Sequence, residues 1–406
     1  MKISFILITF CFSFYCCSQN NAHSYYQIKE DYNKIIQDLS RYYIYLNDKN
    51  VDFDCIKNRY SKKIHQLKNN LEKTLFFEYL LDEFYDSHLI LNISTNNSYR
   101  LHSPLYVTIK DNKVFVENVW VSQIENADTN IIGAEILKLN GINFKNAINN
   151  FPTECNNKNQ KEVKEWIANK IISGRYNQPR ILTLKLKNDK IITLDVDKIK
   201  IRKETNLLSS YTVNNIGVIK INNSLGNNNL INAFDIELDK LFNTKALILD
   251  LRNTVDGGNT YVARAIMGRF IDKELPYQKH VSKEQYGNNP TIVQSWLEFV
   301  SPRGKQYKKP IIVIVGRWTG SMGEGLAIGL DGMQRAKIVG TEMERLAGSM
   351  KSFYFKNRNY GYRIAIDKLF HVNGIVRENY IPWYYVKQQN SKFKDDVLSK
   401  ALQLLD

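Results

Sequence analysis

Proline and glycine are scarce, 8 and 20 in 406 residues, and neither occurs between residues 24 and 85. That excludes a turn-dominated or collagen-like chain and leaves room for uninterrupted helices. Cysteine is scarcer, five in all. Three of them (Cys11, Cys16 and Cys17) crowd into the first 17 residues, so the remainder keeps Cys55 and Cys155. Two distant thiols allow one disulfide and exclude a disulfide scaffold. No metal or nucleotide motif occurs, and no cofactor is expected. After the N-terminus no apolar run approaches the length of a membrane span. A dense basic tract is also missing. The formal net charge is +15, but the lysines are spread along a chain rich in Lys, Asn, Ile and Tyr. With no helix-turn-helix, zinc-finger or RNP pattern, nucleic acid is not an expected partner.

Hydrophobic residues make up 43% and aromatics 12%, which fits a globular protein of two or three domains. The N-terminus, "MKISFILITFCFSFYCC", has one Lys and then a short apolar run, the pattern of an export signal over 1–19. Cys16 or Cys17 stands where a lipoprotein signal is cut and acylated; a plain cleaved signal is the alternative. The expected location is therefore the periplasm or cell envelope, with or without a lipid anchor.

Residues 20–95 read as a helical domain, with apolar residues at three- and four-residue intervals in "YYQIKEDYNKIIQDLSRYYIYL" and "LEKTLFFEYLLDEFYDSH". Residues 96–203 read as β-rich: "SPLYVTIKDNKVFVENVWV" and "RILTLKLKNDKIITLDVDKIKI" are hairpins, and "EILKLNGINF" carries an Asn-Gly turn. From 204 to 406 strands and helices alternate ("GVIKIN", "KALILDLR", "KPIIVIVG", "RAKIVG" with helical stretches between). Near-continuous apolar strands with helical crossovers predict an α/β core with a mostly parallel, covered sheet.

Three stretches have the makings of an acyl-transfer site. In "TGSMGEG", Ser321 follows a strand and opens a helix, where the helix N-terminus favours developing negative charge. The same residue is equally an N-cap, with Glu324 completing a capping box. In "LDLRNTVDGGNTYV", Gly257 and Gly258 form a βα turn able to aim N–H groups at a carbonyl oxygen, or an ordinary turn needing positive φ. In "YDSHLIL", His88 follows the helical domain with Ser87 beside it. A lone His is more often structural than catalytic.

Taken in order, these stretches resemble the S41 peptidases, which include tail-specific and tricorn-like proteases. "LILDLRNTVDGG" is similar to that family's oxyanion turn, and "IVGRWTGSMGEG" with "AKIVGTE" to its nucleophile strand, helix and next strand. "GAEILKLNGINFKNAI" looks like part of its PDZ-like module, and "NGIVRENYIPWYYV" with "DDVLSKALQLL" like its closing strand and helix. The resemblance implies a crotonase/ClpP-like βα core carrying a helical bundle and a PDZ-like domain. "ERLAGSM" has no Lys where the Ser–Lys dyad branch places one, whereas "DSH" matches the D-x-H turn of the tricorn-like branch. On that match Ser321 is the nucleophile and His88 the general base. Glu378, 57 residues beyond Ser321 (378 − 321), and Ser87 orient or polarise the site. Gly257, Gly258 and the Met322 N–H form the oxyanion hole.

The implied activity is serine endopeptidase cleavage of peptides or unfolded protein tails, with no metal; the oligomeric state is left open. Since such a mechanism needs neutral imidazole, activity is expected to fall near pH ~6.5. A PDZ-like module predicts addition of a substrate tail as an extra strand, with a spacer or lid as the alternative. Two other readings compete: a non-catalytic relative that binds peptides or apolar ligands, and a crotonase-like acyl-CoA enzyme, which the export signal disfavours.

Overall fold

The computed structural model describes residues 25–125, 129–389 and 395–406; the export signal read in 1–19, with Cys11, Cys16 and Cys17, lies outside them. Between residues 25 and 82 the chain forms three α-helices joined by short connections. Helix α1 runs over 25–42, α2 over Phe53–Lys63 and α3 over Asn70–Asp82. Asp52 and Asn69 cap the last two, their side-chain oxygens accepting from the Cys55 and Glu72 N–H groups, each cap contributing about 1 kcal/mol. Ile35, Leu39, Tyr60, Phe77 and Leu80 turn inward and are almost wholly buried.

The β-rich segment begins after β1 (Ile90–Leu91) and comprises β2 (Leu105–Lys110), β3 (Lys113–Val119), β4 (Glu135–Leu139), β5 (Ile142–Asn143), α4 (Phe144–Asn149), α5 (Lys161–Ser173), β6 (Ile181–Lys185) and β7 (Ile191–Asp195). Its sheet is antiparallel in the order β2-β3-β4-β6-β7, with β5 on β4. The "KDNK" turn has Asp111 and Asn112 at φ 48° and 58°, the left-handed pair that tight hairpins demand.

Helix α5 was not visible as a motif in the sequence, and it changes what the domain offers. Asn169 bonds both the Val107 N–H and the Val107 C=O, at 2.9 Å each. Glu165 accepts from the Ile109 N–H at 3.0 Å. The outer edge of β2 is therefore already hydrogen-bonded by α5, and a substrate tail has no free edge to join there. The spacer-or-lid alternative fits this edge better than strand addition does.

The core contains β8 (Leu208–Val213), β9 (Ile216–Ile221), α6 (Leu230–Lys240), β10 (Ala246–Asp250), α7 (Thr260–Met267), β11 (Leu275–Glu284), β12 (Ile292–Val300), β13 (Ile311–Val315), α8 (Met322–Gly332), β14 (Lys337–Gly340), β15 (Ser349–Tyr354), β16 (Gly361–Phe370), β17 (Tyr384–Tyr385) and α9 (Asp396–Gln403). One sheet runs β17-β14-β13-β10-β9-β8, parallel from β17 to β9 with β8 antiparallel at the edge. Every residue of β10 and β13 is buried, as the unbroken apolar runs require. Residues of α6, α7 and α8 pack on one side of it and α9 on the other.

A second sheet, β1-β16-β11-β12 with β15 on β16, was not anticipated. Its β16 residues Tyr362, Ile364 and Ala365 lie in the same apolar cluster as the N-terminal helices. The three regions thus share packing. Cys55 and Cys155 form a disulfide with Cα atoms 5.8 Å apart, joining α2 to the β-rich segment. Val255 and Trp318 of the core are buried in the β-rich segment's own cluster.

Candidate active site

Ser321 sits where β13 ends and α8 begins. Its backbone has φ 47° and ψ −106°. An ordinary N-cap residue takes β-region angles, and a left-handed φ on a residue with a Cβ costs energy that proteins keep where function requires it. Glu324, fully buried, accepts the Ser321 N–H at 2.9 Å. The capping-box geometry foreseen from the sequence is present, yet it does not by itself account for the strained Ser.

Opposite the hydroxyl stands the glycine turn. Gly257 has φ 66°, and a Cβ placed on it would lie 2.5 Å from Ser321 Cβ and 3.1 Å from the Met322 nitrogen. Glycine is required here both by φ and by this approach. The Gly257 N–H is already donated to Thr254 O at 2.9 Å. Were an oxyanion held here, Gly257 would contribute shape, and the N–H groups of Gly258 and Met322 are the ones left to serve as donors.

Glu324 also holds the segment that follows β14. Its carboxyl oxygens accept from the Arg345 N–H at 2.9 Å and the Leu346 N–H at 3.2 Å. Burial pushes its pKa up to about 8, against the opposing pull of Arg377 and these two bonds. The next carbonyl along, Ala347 O, lies 2.8 Å from His88 Nδ1. A carbonyl only accepts, so Nδ1 carries the proton and Nε2 keeps its lone pair. His88 is 3% exposed, and among the described residues its Nε2 has no hydrogen-bond partner. Burial first, and Arg377 second, lower its pKa to about 4 despite the nearby Asp86. The ring is thus neutral well below pH 6.5.

Asp86, two residues earlier, accepts the His88 N–H at 2.9 Å and the Tyr43 hydroxyl at 2.7 Å. Arg377 is 2% exposed and donates to Leu346 O and Gly348 O, both at 2.9 Å. Among the described residues the buried Oε2 of its neighbour Glu378 has no partner, and burial raises the Glu378 pKa, with Tyr45 and Asp86 nearby. His88 and Glu378, 290 residues apart (378 − 88), are thus brought to one polar cluster around residues 346–348. Ser87 faces elsewhere. It is exposed, accepts from Trp166 Nε1 at 3.2 Å, and lines a cleft with His102, Arg317, Trp318 and Glu344.

Sequence reasoning missed Asp86, Tyr43, Tyr45 and Arg377 as members of this cluster. "DSH" and "RENYIP" contained two of them beside residues already chosen; the tyrosines in "RYYIYL" carried no signal distinguishing them from core aromatics. It missed His102 too, which lies 3.1 Å from Asp256 and 3.5 Å from Glu344. Among the described residues no group of His, Cys, Asp and Glu is arranged to hold a metal ion, and no helix is long and apolar enough to cross a membrane.

Residues 215–380 match the model of peptidase family S41, a span that holds Gly257, Ser321 and Glu378 but not His88. No curated protein matches the sequence. Solved structures are similar over nearly the whole chain. Mature CPAF complexed with lactacystin is 14% identical, with 94% of this chain and 98% of that one covered and a TM-score of 0.63. The photosystem II D1 C-terminal processing protease is 14% identical, with 94% and 97% covered and a TM-score of 0.57. A putative peptidase from Parabacteroides merdae is 15% identical, with 93% and 96% covered and a TM-score of 0.53. At such identities the likeness establishes the fold, a mixed α/β architecture shared with these proteases.

Proposed function

We infer that this chain, whose residues 215–380 match the model of peptidase family S41, is a serine endopeptidase that cleaves peptides or unstructured protein tails through an acyl-enzyme. The observation that carries the reading is the strained Ser321 backbone held against the Gly257 turn. His88 Nε2 takes the Ser321 hydroxyl proton as Oγ attacks the scissile carbonyl, and returns it to the leaving amine. The Ala347 carbonyl, accepting from Nδ1, fixes the tautomer that leaves Nε2 basic. Gly258 and Met322 N–H groups take the oxyanion as the carbonyl carbon becomes tetrahedral. Water then attacks the acyl-enzyme by the same route, freeing Ser321. Glu378 polarises the His88 cluster, and Ser87 meets substrate in the cleft.

Export is supported by the Cys55–Cys155 disulfide, a bond favoured in oxidising compartments, together with the N-terminal pattern. A lipid anchor at Cys16 or Cys17 belongs to the same proposal. A second reading, a peptide binder that does not cut, draws on the burial of His88 Nε2 without a partner; peptidases often tighten such contacts only with substrate bound. Digestion of an unfolded protein by purified wild type and Ser321→Ala separates them. The peptidase reading expects cleavage by wild type and its loss, by at least about 10³-fold, in the variant. No cleavage by either, with tight peptide binding, would establish the binder.

A further inference from the structure

We propose that His102 is a positioning residue for hydrolysis, clamping the apex of the glycine turn, through Asp256, to the nucleophile loop, through Glu344. The inference rests on the reading of Ser321 as nucleophile.

His102 comes from the connection between β1 and β2. Its Nε2 lies 3.1 Å from Asp256 Oδ1 and its Nδ1 3.5 Å from Glu344 Oε1. Asp256 directly precedes Gly257, the residue against Ser321 Cβ. Glu344 Oε2 is buried, has no partner among the described residues and would lie 2.2 Å from a Cβ on Gly320, the residue directly before Ser321. The imidazole therefore bridges the glycine turn and the segment after β14, and the Glu344 N–H donates to Thr319 O at 3.1 Å, two residues before Ser321.

The base of the turn is tied down without His102. The Thr254 N–H donates to Trp318 O at 3.1 Å, and the Gly320 N–H to Thr254 O at 3.2 Å. The apex is less secured, with Asp256 and Gly258 both exposed. Asn223 holds Asp256 through two bonds, 2.9 Å and 2.7 Å, but Asn223 follows β9, on the turn's own side. The link across to the nucleophile side is His102. Oxyanion donors act only within a few tenths of an ångström of the developing charge, and about 1 Å of misplacement costs about 10²-fold in rate.

The chemistry of the ring suits a clamp and not a base. Burial opposes its charge, but the bonds to Asp256 and Glu344 prevail and raise its pKa to about 9. Lys170, Arg317 and Tyr106 also line the cleft that it faces, and none of these supplies a competing anion at neutral pH. At that pH His102 is an imidazolium, its Nε2–H donating to Asp256 and its Nδ1 side ion-paired with Glu344.

The test is steady-state hydrolysis of an internally quenched peptide by wild type, His102→Ala, His102→Gln and Asp256→Asn, with fluorophosphonate labelling of each. A clamp predicts that His102→Ala lowers kcat by at least about 10-fold with KM within about threefold, and slows labelling in parallel. His102→Gln, which retains one donor for Asp256, recovers at least a third of the lost rate. Asp256→Asn, on the exposed partner, lowers kcat, and its effect is not additive with His102→Ala. Should His102→Ala fail to fold, Asp256→Asn and His102→Gln carry the test. A kcat within twofold of wild type, a loss confined to KM, or additive losses would overturn the clamp. If wild type itself neither labels nor cleaves, the underlying peptidase reading fails first, which is a distinct result.

Discussion

The two histidines flanking the strand β1 have opposite electrostatics, and this separates their roles. Burial drives His88 to about 4, while two carboxylates carry His102 to about 9. A base must be neutral to work, so His88 fits that role at neutral pH and His102 does not. The sequence-based expectation of an acid limb near pH ~6.5 is therefore revised. We expect kcat/KM to hold through pH 6 and to fall only toward about 4 as His88 protonates. The same group links stability to pH. Its folded pKa lies below its unfolded value of about 6.5, so its contribution is present above that value and is lost as pH falls toward about 4. A pH–rate profile with unfolding followed in parallel checks this; a midpoint at 6.5 in folded enzyme would place the base in a wetter site than His88 occupies. The motif "DSH" made His88 readable from sequence. The direction of its shift was not, because it comes first from burial that no local pattern reports and second from Arg377, 289 residues away (377 − 88).

Helix α8 shows why the stretch "TGSMGEG" is glycine-rich. A Cβ on Gly323 would fall 2.2 Å from Thr254 Oγ1 and 3.1 Å from Thr254 Cβ. Alanine would gain about 1 kcal/mol in helix propensity, but overpacking against a fully buried Thr typically costs about 1–3 kcal/mol. The clash should win. We expect Gly323→Ala to be less stable than wild type and less active, since Thr254 belongs to the glycine turn. Adding Thr254→Ala should restore part of the stability, a non-additivity readable in a thermal double-mutant cycle. Equal melting of wild type and Gly323→Ala would mean that α8 shifts freely. The strands of the parallel sheet were legible because β10 and β13 are apolar throughout. The hairpin β11–β12 was not: seven of the nine β12 residues are exposed to solvent, so its pattern lacks the burial period that marks a strand. Helix α5 escaped for a different reason. Its Asn169 and Glu165 read as surface polar residues, while in the fold they bond the edge of β2.

At the scale of the whole molecule, the β-rich segment is built into the site and does not hang from it. Trp318, three residues before Ser321, stacks on Trp120 with ring centroids 5.3 Å apart and planes 2° from parallel. Its Nε1–H donates to Ser103 O at 2.9 Å, and Trp120 Nε1–H donates to Arg252 O at 2.9 Å. Removing residues 104–200 would therefore strip the packing from Trp318 and Val255 as well as any tethering surface. Point changes are the better probe of substrate choice. The order of motifs along the chain disclosed the resemblance to peptidase family S41, but this interlocking depends on contacts between residues 120 and 318 that a linear reading does not join.

We propose that Ser321 is an activated nucleophile and more than a helix cap. Its most direct measurement is reaction of the folded protein with a fluorophosphonate, followed by intact mass and peptide mapping. The account predicts one adduct per chain on Ser321 at neutral pH, absent in Ser321→Ala and slowed in His88→Ala. Mapping of the adduct to another residue, or no adduct on folded wild type, would contradict it.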